Sequence, residues 1–375
     1  MLRGARRIVV KVGTSLLTPP GGGPHPRRFG ELAREIVEIL GRRREVVLVS
    51  SGAVGLGVRR LELETRPESI PGKQAAAAVG QIDLCRRYER AFGRHGFRVG
   101  QILLTHAGLA DRERFLNARH TLQALLEARV VPIVNENDSV ATEELRFGDN
   151  DQLAAQVVNV IGADLLVLLT DTDGVFDVPP SAGGGTRIPE ITEVTPNLLR
   201  ATTREGSSLG SGGMRAKLEA ARTAARFGVP TVIADGRRRG MLARILHGED
   251  AGTLIRPSTS RLSSRKHWIA YSLKPRGSLQ LDAGAARALV EGGRSLLPIG
   301  VVDSVGRFSV GDPVSCVTPD GEEIARGLIA YSRAELALIK GHRTSRIQEL
   351  LGFSNGPAVI HRNDLVLLHE RPRGA

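Results

Sequence analysis

The sequence predicts an α/β protein in which helices cover both faces of a parallel sheet, followed by a small β-rich domain. Three observations lead to this fold class. Short β-branched strands alternate with amphipathic helical segments as far as about residue 256. These strands are apolar almost without interruption, as expected where a parallel sheet is buried on both faces. Beyond that point the apolar runs are short, and Gly, Asp and Pro turns separate them.

The opening βαβ unit shows the pattern most clearly. Residues 6–12 and 45–50 are β-branched runs, and apolar residues recur at helical spacing over 29–41 between them. The later elements predicted are helices at 73–92, 111–128, 150–161 and 213–227, and strands at 98–104, 130–134, 164–169 and 229–234. The stretch 178–189 is rich in Pro and Gly, so we expect a loop there.

The length and the change of rhythm indicate more than one domain. The chain has 375 residues, 41% of them hydrophobic, and domains typically hold roughly 100–200 residues. We therefore predict an α/β domain at 1–255, a basic linker at 256–276, and a β-rich domain with its tail at 277–375. The short runs that indicate strands in the last region are 279–281, 299–302, 314–317 and 324–330.

The positive charge is concentrated in one short segment. The formal net charge is +12, of which +6 falls in 1–255, +6 in 256–276 and none in 277–375. Aromatic residues make up only 3% of the chain, which leaves few platforms for stacking bases. RNA binding through the segment with Arg261, Arg265, Lys266 and Trp268 is therefore possible but not expected. The alternative for that segment is docking against an acidic face of the α/β domain.

Cysteine usage and hydropathy point to a cytoplasmic protein. Cys85 and Cys316 have no metal-ligand spacing, so we expect two free thiols in a reducing compartment. No apolar run approaches the ~20 residues of a membrane helix, and the N-terminus lacks the apolar region of a secretory signal.

Polar segments follow several of the predicted strands, where open α/β sheets bind ligands. Lys11 lies near the end of the first strand and precedes Gly13, so its ammonium group can face that crevice while the glycine admits an anion. The alternative is a lysine that merely reaches solvent from a strand end. Ser50 to Gly57 reads as a strand end, a small-residue turn and a helix start that offers N–H donors. The alternative is a tight turn with glycines for close packing.

Two further segments are rich in acceptors. Asn135 to Ser139 follows a strand, and Gly148 to Asp151 precedes a helix; such residues suit an α-amino group, or they are only helix caps. Leu169 to Phe176 follows another strand. A glycine-rich loop at 209–213 leads into a helix that carries Lys217, as in a phosphate cradle. The alternative for Lys217 is a solvated helix-surface lysine. There is no Walker motif and no protein-kinase motif set.

Taken in order, these segments resemble the amino acid kinase superfamily, and more closely its glutamate 5-kinase family. The residues that carry the resemblance are Lys-Val-Gly-Thr-Ser at 11–15, Ser-Ser-Gly-Ala at 50–53, Val-Asn-Glu-Asn-Asp at 134–138, Gly-Asp-Asn-Asp at 148–151, Leu-Leu-Thr-Asp at 168–171 and Gly-Ser-Gly-Gly-Met at 210–214 with Lys217. Stretches 73–81 and 111–119 support it, and 278–353 resembles a PUA domain.

The resemblance implies an αβα sandwich that transfers the γ-phosphoryl group of ATP, with Mg²⁺, to the side-chain carboxylate of L-glutamate at the start of proline synthesis. It assigns the amino acid to Ser51, Gly52, Asn135, Asp138, Asp149 and Asn150. It assigns the nucleotide to Lys11, Gly13, Thr170, Asp171, Ser211, Gly212, Gly213, Met214, Arg215, Ala216 and Lys217. Lys11, Lys217 and Asp151 form the catalytic set, with Asp151 orienting both ammonium groups. No protein side chain is assigned to the metal.

The sequence departs from the family pattern in three places. Ser211 replaces the usual Thr, Arg215 is bulkier than expected, and the loop at 177–180 is short. Kinases of acetylglutamate, aspartate, carbamate or UMP share the lysine and glycine segments and remain alternatives. By resemblance we also expect inhibition by L-proline, a homodimer or homotetramer, and glutamyl-phosphate reductase acting downstream.

Overall fold

The computed structural model describes residues 2–18, 25, 27–41, 44–141, 150–178, 185–201, 213–257 and 275–368, without the side chains of 112, 113 and 201. The chain divides into two compact units, Met1–Thr259 and Ser260–Ala375. Each unit has a sheet and a hydrophobic core of its own.

The first unit contains an eight-stranded sheet. Its strands are β1 (Arg7–Val12), β2 (Glu45–Ser50), β3 (Arg98–Leu104), β4 (Val130–Glu136), β5 (Leu165–Thr170), β6 (Glu190–Ile191), β7 (Thr231–Asp235) and β8 (Thr253–Ile255). They lie in the order β3-β4-β2-β1-β5-β7-β8-β6. Every pairing is parallel except that of β7 with β8. The predicted open, mainly parallel sheet is confirmed.

Helices pack on both faces of this sheet. They are α1 (Thr14–Leu17), α2 (Arg28–Leu40), α3 (Ala53–Arg60), α4 (Ile70–Gly93), α5 (His106–Ala110), α6 (Arg112–Glu127), α7 (Asn150–Ile161), α8 (Pro196–Ala201), α9 (Met214–Arg226) and α10 (Met241–Leu246). Alternate residues of a strand point to opposite faces. Thus Ile8 and Val10 join the core beneath α2, α4 and α10, whereas Val9 joins the core beneath α6, α7 and α9. The predicted αβα sandwich is confirmed.

Helices α3 and α4 cross at two glycines. A Cβ atom added to Gly80 would lie 1.8 Å from the carbonyl oxygen of Ala53, and one added to Gly57 would lie 1.6 Å from that of Ala76. No side chain fits into either space, so glycine is required for the two helices to approach this closely. The close-packing reading of this glycine-rich segment is therefore correct for Gly57.

The second unit is built around a five-stranded sheet. Its strands are β9 (Gly277–Leu281), β10 (Val301–Gly306), β11 (Pro313–Val317), β12 (Glu323–Leu328) and β13 (Leu365–Leu367), in the order β10-β9-β11-β12-β13. The described part of this unit also contains helices α11 (Ala283–Gly292), α12 (Arg333–Ile339) and α13 (Ile347–Leu351). The β-rich character is as predicted, but these three helices were not among the predictions.

The linker predicted at 256–276 lies largely outside the described residues. The basic cluster at 261, 265 and 266 and the tryptophan at 268 fall between 258 and 274, which the structure does not describe. The division at 255/256 and 276/277 therefore stays a prediction.

Candidate active site

The carboxyl ends of four neighbouring parallel strands meet at one edge of the sheet. These strands, β4, β2, β1 and β5, end beside Asn135, Ser51, Lys11 and Thr170. Strands β2, β3 and β4 lie on one side of β1, and β5 and the later strands lie on its other side. The direction in which strands are added to the sheet therefore reverses at β1. Ligands of open α/β sheets bind at such a point.

Lys11, Asp151 and Lys217 are in direct contact at this edge. The Nζ atom of Lys11 lies 2.6 Å from Oδ1 of Asp151, and that of Lys217 lies 3.2 Å from Oδ2. The three side chains come from β1 and from the first turns of α7 and α9. They meet because Lys11 shares the strand face of Val9, against which α7 and α9 pack.

This ion-paired group is buried. Lys11 is 5% exposed, Lys217 6% and Asp151 0%. Burial by itself raises the pKa of Asp151, but the nearby ammonium groups and their hydrogen bonds outweigh it and hold that pKa below its ordinary value. The carboxylate therefore stays ionised and holds two positive charges side by side. The alternatives of a lysine reaching solvent at 11 and a solvated surface lysine at 217 are both wrong.

The ion-paired group suits an anion rather than a proton transfer. One carboxylate and two ammonium groups together carry one net positive charge. A lysine in the first turn of a helix also opposes the helix dipole, so Lys217 adds nothing to the stability of α9 by its position. Such a group is suited to hold and stabilise negative charge on a transferring phosphoryl group.

The turn after β2 combines a left-handed glycine with a hydroxyl. Gly52 has a φ of 111°, which glycine adopts without strain, and α3 begins at the next residue. The Ser51 N–H donates to the carbonyl of Val12 at 3.2 Å, so the turn is joined to the end of β1. The predicted sequence of strand, small-residue turn and helix start is confirmed.

Neutral side chains form the second part of the site. The amide nitrogen of Asn150 donates to Oδ1 of Asn135 at 2.9 Å and to Oγ of Ser51 at 3.0 Å. Asn135 in turn donates to Oε1 of Gln81 at 2.8 Å. Asn135 and Asn150 are buried. The structure thus brings together three residues that the resemblance assigned to the amino acid, namely Ser51, Asn135 and Asn150.

Asp138 lies two residues beyond β4 and is partly buried. Burial raises its pKa to about 6, against the opposing charge of Arg66. Asp149, which the resemblance also assigned to the amino acid, lies outside the described residues. Nearby, the buried carboxylate of Glu136 lies 3.9 Å from Nε2 of His106.

The residues predicted for the nucleotide lie at the ends of β1 and β5 and at the start of α9. Gly13 follows β1, and its N–H donates to the carbonyl of Leu169 in β5 at 3.3 Å. The Thr170 hydroxyl donates to Asp171 at 3.1 Å. Arg215 is exposed and pairs with Glu219 one helical turn away at 3.0 Å. Met214 and Ala216 occupy the same first turn of α9, Gly213 precedes it, and Ser211 and Gly212 lie outside the described residues.

Comparison with known proteins identifies the family. The model of the amino acid kinase family matches residues 6–235, which include the whole of the site described above. The chain belongs to the amino acid kinase family. A second model, that of the PUA domain, matches residues 277–351 of this amino acid kinase. ATP use follows from membership of this kinase family.

The curated relatives match this amino acid kinase over almost its full length. The glutamate 5-kinase of Methylococcus capsulatus is 49% identical over 367 residues, covering 98% of each chain. That of Moorella thermoacetica is 48% identical over 365 residues and covers 97% of each chain. That of Trichlorobacter lovleyi is 47% identical over 369 residues and covers 98% of each chain.

Sequence reasoning missed two polar residues that support the site. Gln81 and Tyr88 lie on the buried face of α4, and the Tyr88 hydroxyl is 2.8 Å from Oγ of Ser50. The stretch that contains Gln81 contributed to the resemblance, but no role was assigned to it. A signal was present, because a glutamine interrupts an apolar helical stripe that includes Ala77 and Leu84.

Two further predictions concern the whole chain. No helix among the described residues is long and apolar enough to cross a membrane. Cys85 and Cys316 are both free, as expected.

Proposed function

We propose that the protein phosphorylates the side-chain carboxylate of L-glutamate at the expense of ATP, forming L-glutamyl 5-phosphate. The observation that carries this proposal is the buried group in which Asp151 binds Lys11 and Lys217 on separate oxygens. It lies next to the neutral amides of Asn135 and Asn150, since Asn150 and Asp151 are adjacent in α7. The three glutamate 5-kinases described above support the choice of substrate.

The roles of the residues follow from their charges. ATP supplies the γ-phosphoryl group, and the substrate carboxylate is itself a sufficient nucleophile, so the chain needs no general base. Lys11 and Lys217 stabilise negative charge on the two sides of the transfer, and Asp151 holds both ammonium groups in place. Because these charges are buried and already oriented, little reorganisation is needed when charge shifts.

The residues at the edge of the sheet fit a nucleotide whose metal is carried by its phosphates. Lys217 in the first turn of α9 and the N–H groups that begin that helix are suited to phosphate oxygens. Among the described residues, no three His, Cys, Asp or Glu side chains form a metal-binding group. Mg²⁺, which the resemblance implies, would be carried by the phosphate oxygens of ATP, and we assign no protein side chain to it.

A hydroxamate assay tests the proposal directly. The unsubstituted protein, given ATP, Mg²⁺, L-glutamate and hydroxylamine, is expected to form glutamyl hydroxamate. Lys11→Ala and Lys217→Ala are each expected to lower kcat by a factor on the order of 10²–10³, as for the loss of one oxyanion donor. Lys340→Ala is the matched control, because Lys340 also forms a 2.6 Å ion pair, but with Asp303 in the other unit. Full activity in both Lys11→Ala and Lys217→Ala would contradict the assigned roles.

A substrate panel separates glutamate from the other acceptors of the superfamily. L-glutamate, N-acetylglutamate, aspartate, carbamate and UMP would be compared at equal ATP. Phosphorylation of N-acetylglutamate but not of glutamate would contradict the proposal. The relatives do not favour RNA binding as the main role. Loss of salt-dependent tRNA binding on replacing Arg261, Arg265 and Lys266 with Ala would reopen it.

Several expectations rest on the resemblance alone and stay predictions. They are feedback inhibition by L-proline, assembly as a homodimer or homotetramer, and use of the product by glutamyl-phosphate reductase. The cytoplasmic location, expected from cysteine usage and hydropathy, also stays a prediction. The roles assigned to individual site residues are likewise predictions.

A further inference from the structure

A directed chain of hydrogen bonds runs from α7 to the edge strand of the first sheet. Asn150 donates to Asn135, Asn135 donates to Gln81, and Gln81 donates to Sγ of Cys85 at 3.3 Å. The Cys85 thiol donates to Oε1 of Gln101 in β3 at 3.1 Å. Each of these side chains donates a hydrogen bond to the next, so all four hydrogen bonds run in the same direction.

A backbone carbonyl favours that direction. The amide nitrogen of Asn150 lies 3.4 Å from the carbonyl oxygen of Ser50, which can only accept. The Ser50 carbonyl therefore favours the nitrogen of Asn150 on its side, and the shorter 2.9 Å bond holds it there only while Asn135 presents its oxygen to that nitrogen. The nitrogen of Asn135 then faces α4, where it needs an acceptor.

Gln81 provides this acceptor. It is 8% exposed and lies on the buried face of α4. Its oxygen accepts from Asn135 while its nitrogen is engaged by Cys85, so its amide group also has a fixed orientation. Without an acceptor at position 81, the nitrogen of Asn135 would lose its hydrogen bond on α4. The orientation that turns the Asn135 oxygen toward Asn150 would then no longer be favoured.

The fixed orientation of these amides affects Asn150, at the start of the series of hydrogen bonds. The Oδ1 atom of Asn150 is buried and accepts no hydrogen bond from the residues that the structure describes. A buried acceptor without a donor is unfavourable, so this oxygen is suited to a ligand that brings a donor. The α-ammonium group of an amino acid has three donors and no acceptor.

We propose that Gln81 is a positioning residue for substrate recognition: by fixing Asn135 it keeps the Asn150 oxygen available to the α-ammonium group of the amino acid. This inference rests on the proposed function, since it concerns the same amino acid site. It assigns to Gln81 an effect on binding of the ammonium group and no part in phosphoryl transfer.

Gln81→Met tests the inference because it keeps the length of the side chain and removes its acceptor. The KM for L-glutamate is expected to rise about tenfold, while kcat and the KM for ATP change by less than about twofold. Gln101→Met is the matched control: it makes the same change at the far end of the chain of hydrogen bonds. Its KM for glutamate is expected to stay within about twofold of the unsubstituted value.

A ligand without the amino group distinguishes positioning from structural damage. The inhibition constant of glutarate against glutamate is expected to be the same in Gln81→Met as in the unsubstituted protein. In Gln81→Glu a carboxylate oxygen still accepts from Asn135, so we expect most of the affinity for glutamate to be kept. This second variant also serves if Gln81→Met does not fold.

The outcomes separate this inference from the proposed function. An unsubstituted protein that does not phosphorylate glutamate would contradict the proposed function. If the unsubstituted protein does phosphorylate glutamate, then equally weakened binding of glutamate, ATP and glutarate in Gln81→Met would overturn only the role given to Gln81. So would a loss confined to kcat, or a glutamate KM unchanged in Gln81→Met.

Discussion

The two halves of the site are built from opposite kinds of polar group. One half consists of Lys11, Asp151 and Lys217, in which full charges are buried and neutralised in part by one another. The other half consists of Asn135, Asn150 and their neighbours, which carry no charge and are joined by directed hydrogen bonds. The halves meet at adjacent residues, Asn150 and Asp151, at the start of α7.

Under the proposed function, the difference between the two halves follows from their separate tasks. Charge that moves during phosphoryl transfer is best stabilised by fixed charges in a place that excludes water. Recognition of an amino acid requires instead that donors and acceptors stand in one arrangement, which neutral amides provide without a large desolvation cost. The charged half should therefore govern kcat and stability, and the amide half should govern KM.

Asp151→Asn is expected to have the largest effect. It removes the carboxylate that both buried ammonium groups contact, and removing one partner of a buried ion pair typically costs about 3–5 kcal/mol. Urea unfolding measures the loss of stability, and the hydroxamate assay measures the accompanying loss of kcat. Asp303→Asn, which removes an exposed carboxylate from Lys340, should leave the unfolding midpoint unchanged. Equal effects of the two substitutions would show that burial of the ion pairs is unimportant.

Gly80→Ala is expected to have an intermediate effect, and to act on the amide half. Its Cβ atom would meet the carbonyl of Ala53, so α4 must move away from α3, at a cost of about 1–3 kcal/mol. Because Gln81 follows Gly80, the KM for glutamate should rise together with the loss of stability. Gly93→Ala is the control on the same helix, since nothing lies within 4 Å of a Cβ atom there. A stable Gly80→Ala variant with an unchanged KM would contradict the link between this crossing and the site.

At neutral pH, the titration of Asp138 is expected to have the smallest effect of the three. Because burial raises the pKa of Asp138 to about 6, its carboxylate is ionised above that pH and becomes protonated below it. If Asp138 receives the ammonium group, the KM for glutamate should rise about tenfold for each pH unit below 6. Asp138→Asn should have a higher KM at neutral pH and no such rise.

The same shift has a consequence for stability with the opposite sign. A carboxyl group whose pKa is higher in the folded state favours folding at acid pH, and this contribution is lost as the pH rises through about 6. The stability of Asp138→Asn relative to the unsubstituted protein should therefore be greater above pH 6 than below it. Thermal unfolding at several pH values measures this difference.

Much of the fold could be predicted because it depends on local pattern. The β-branched runs at 6–12 and 45–50 became β1 and β2 almost residue for residue, and the helical spacing at 150–161 became α7. Apolar strands that are buried on both faces identify a parallel sheet without knowledge of its order. The three helices of the second unit escaped prediction because they are short and lie among turns.

The site could be predicted only in part. Lys11 and Lys217 stand at element boundaries that the sequence pattern marks, and the ordered motifs around them carried the resemblance. Gln81 lies 54 residues from Asn135 along the chain, so no local pattern relates the two. The burial of both lysines was equally invisible, since position in a strand or helix does not say what packs on top.

By itself, the sequence determined an α/β protein with an open parallel sheet, a β-rich second part, and a set of charged and glycine-rich segments at strand ends. These follow from periodicity and turn chemistry, which act over a few residues. Only the tertiary structure decided that both lysines are buried against one carboxylate, and that a glutamine on α4 accepts a hydrogen bond from Asn135. Those contacts depend on which strand face each residue occupies and on how closely two helices approach, and both are set by packing over the whole domain.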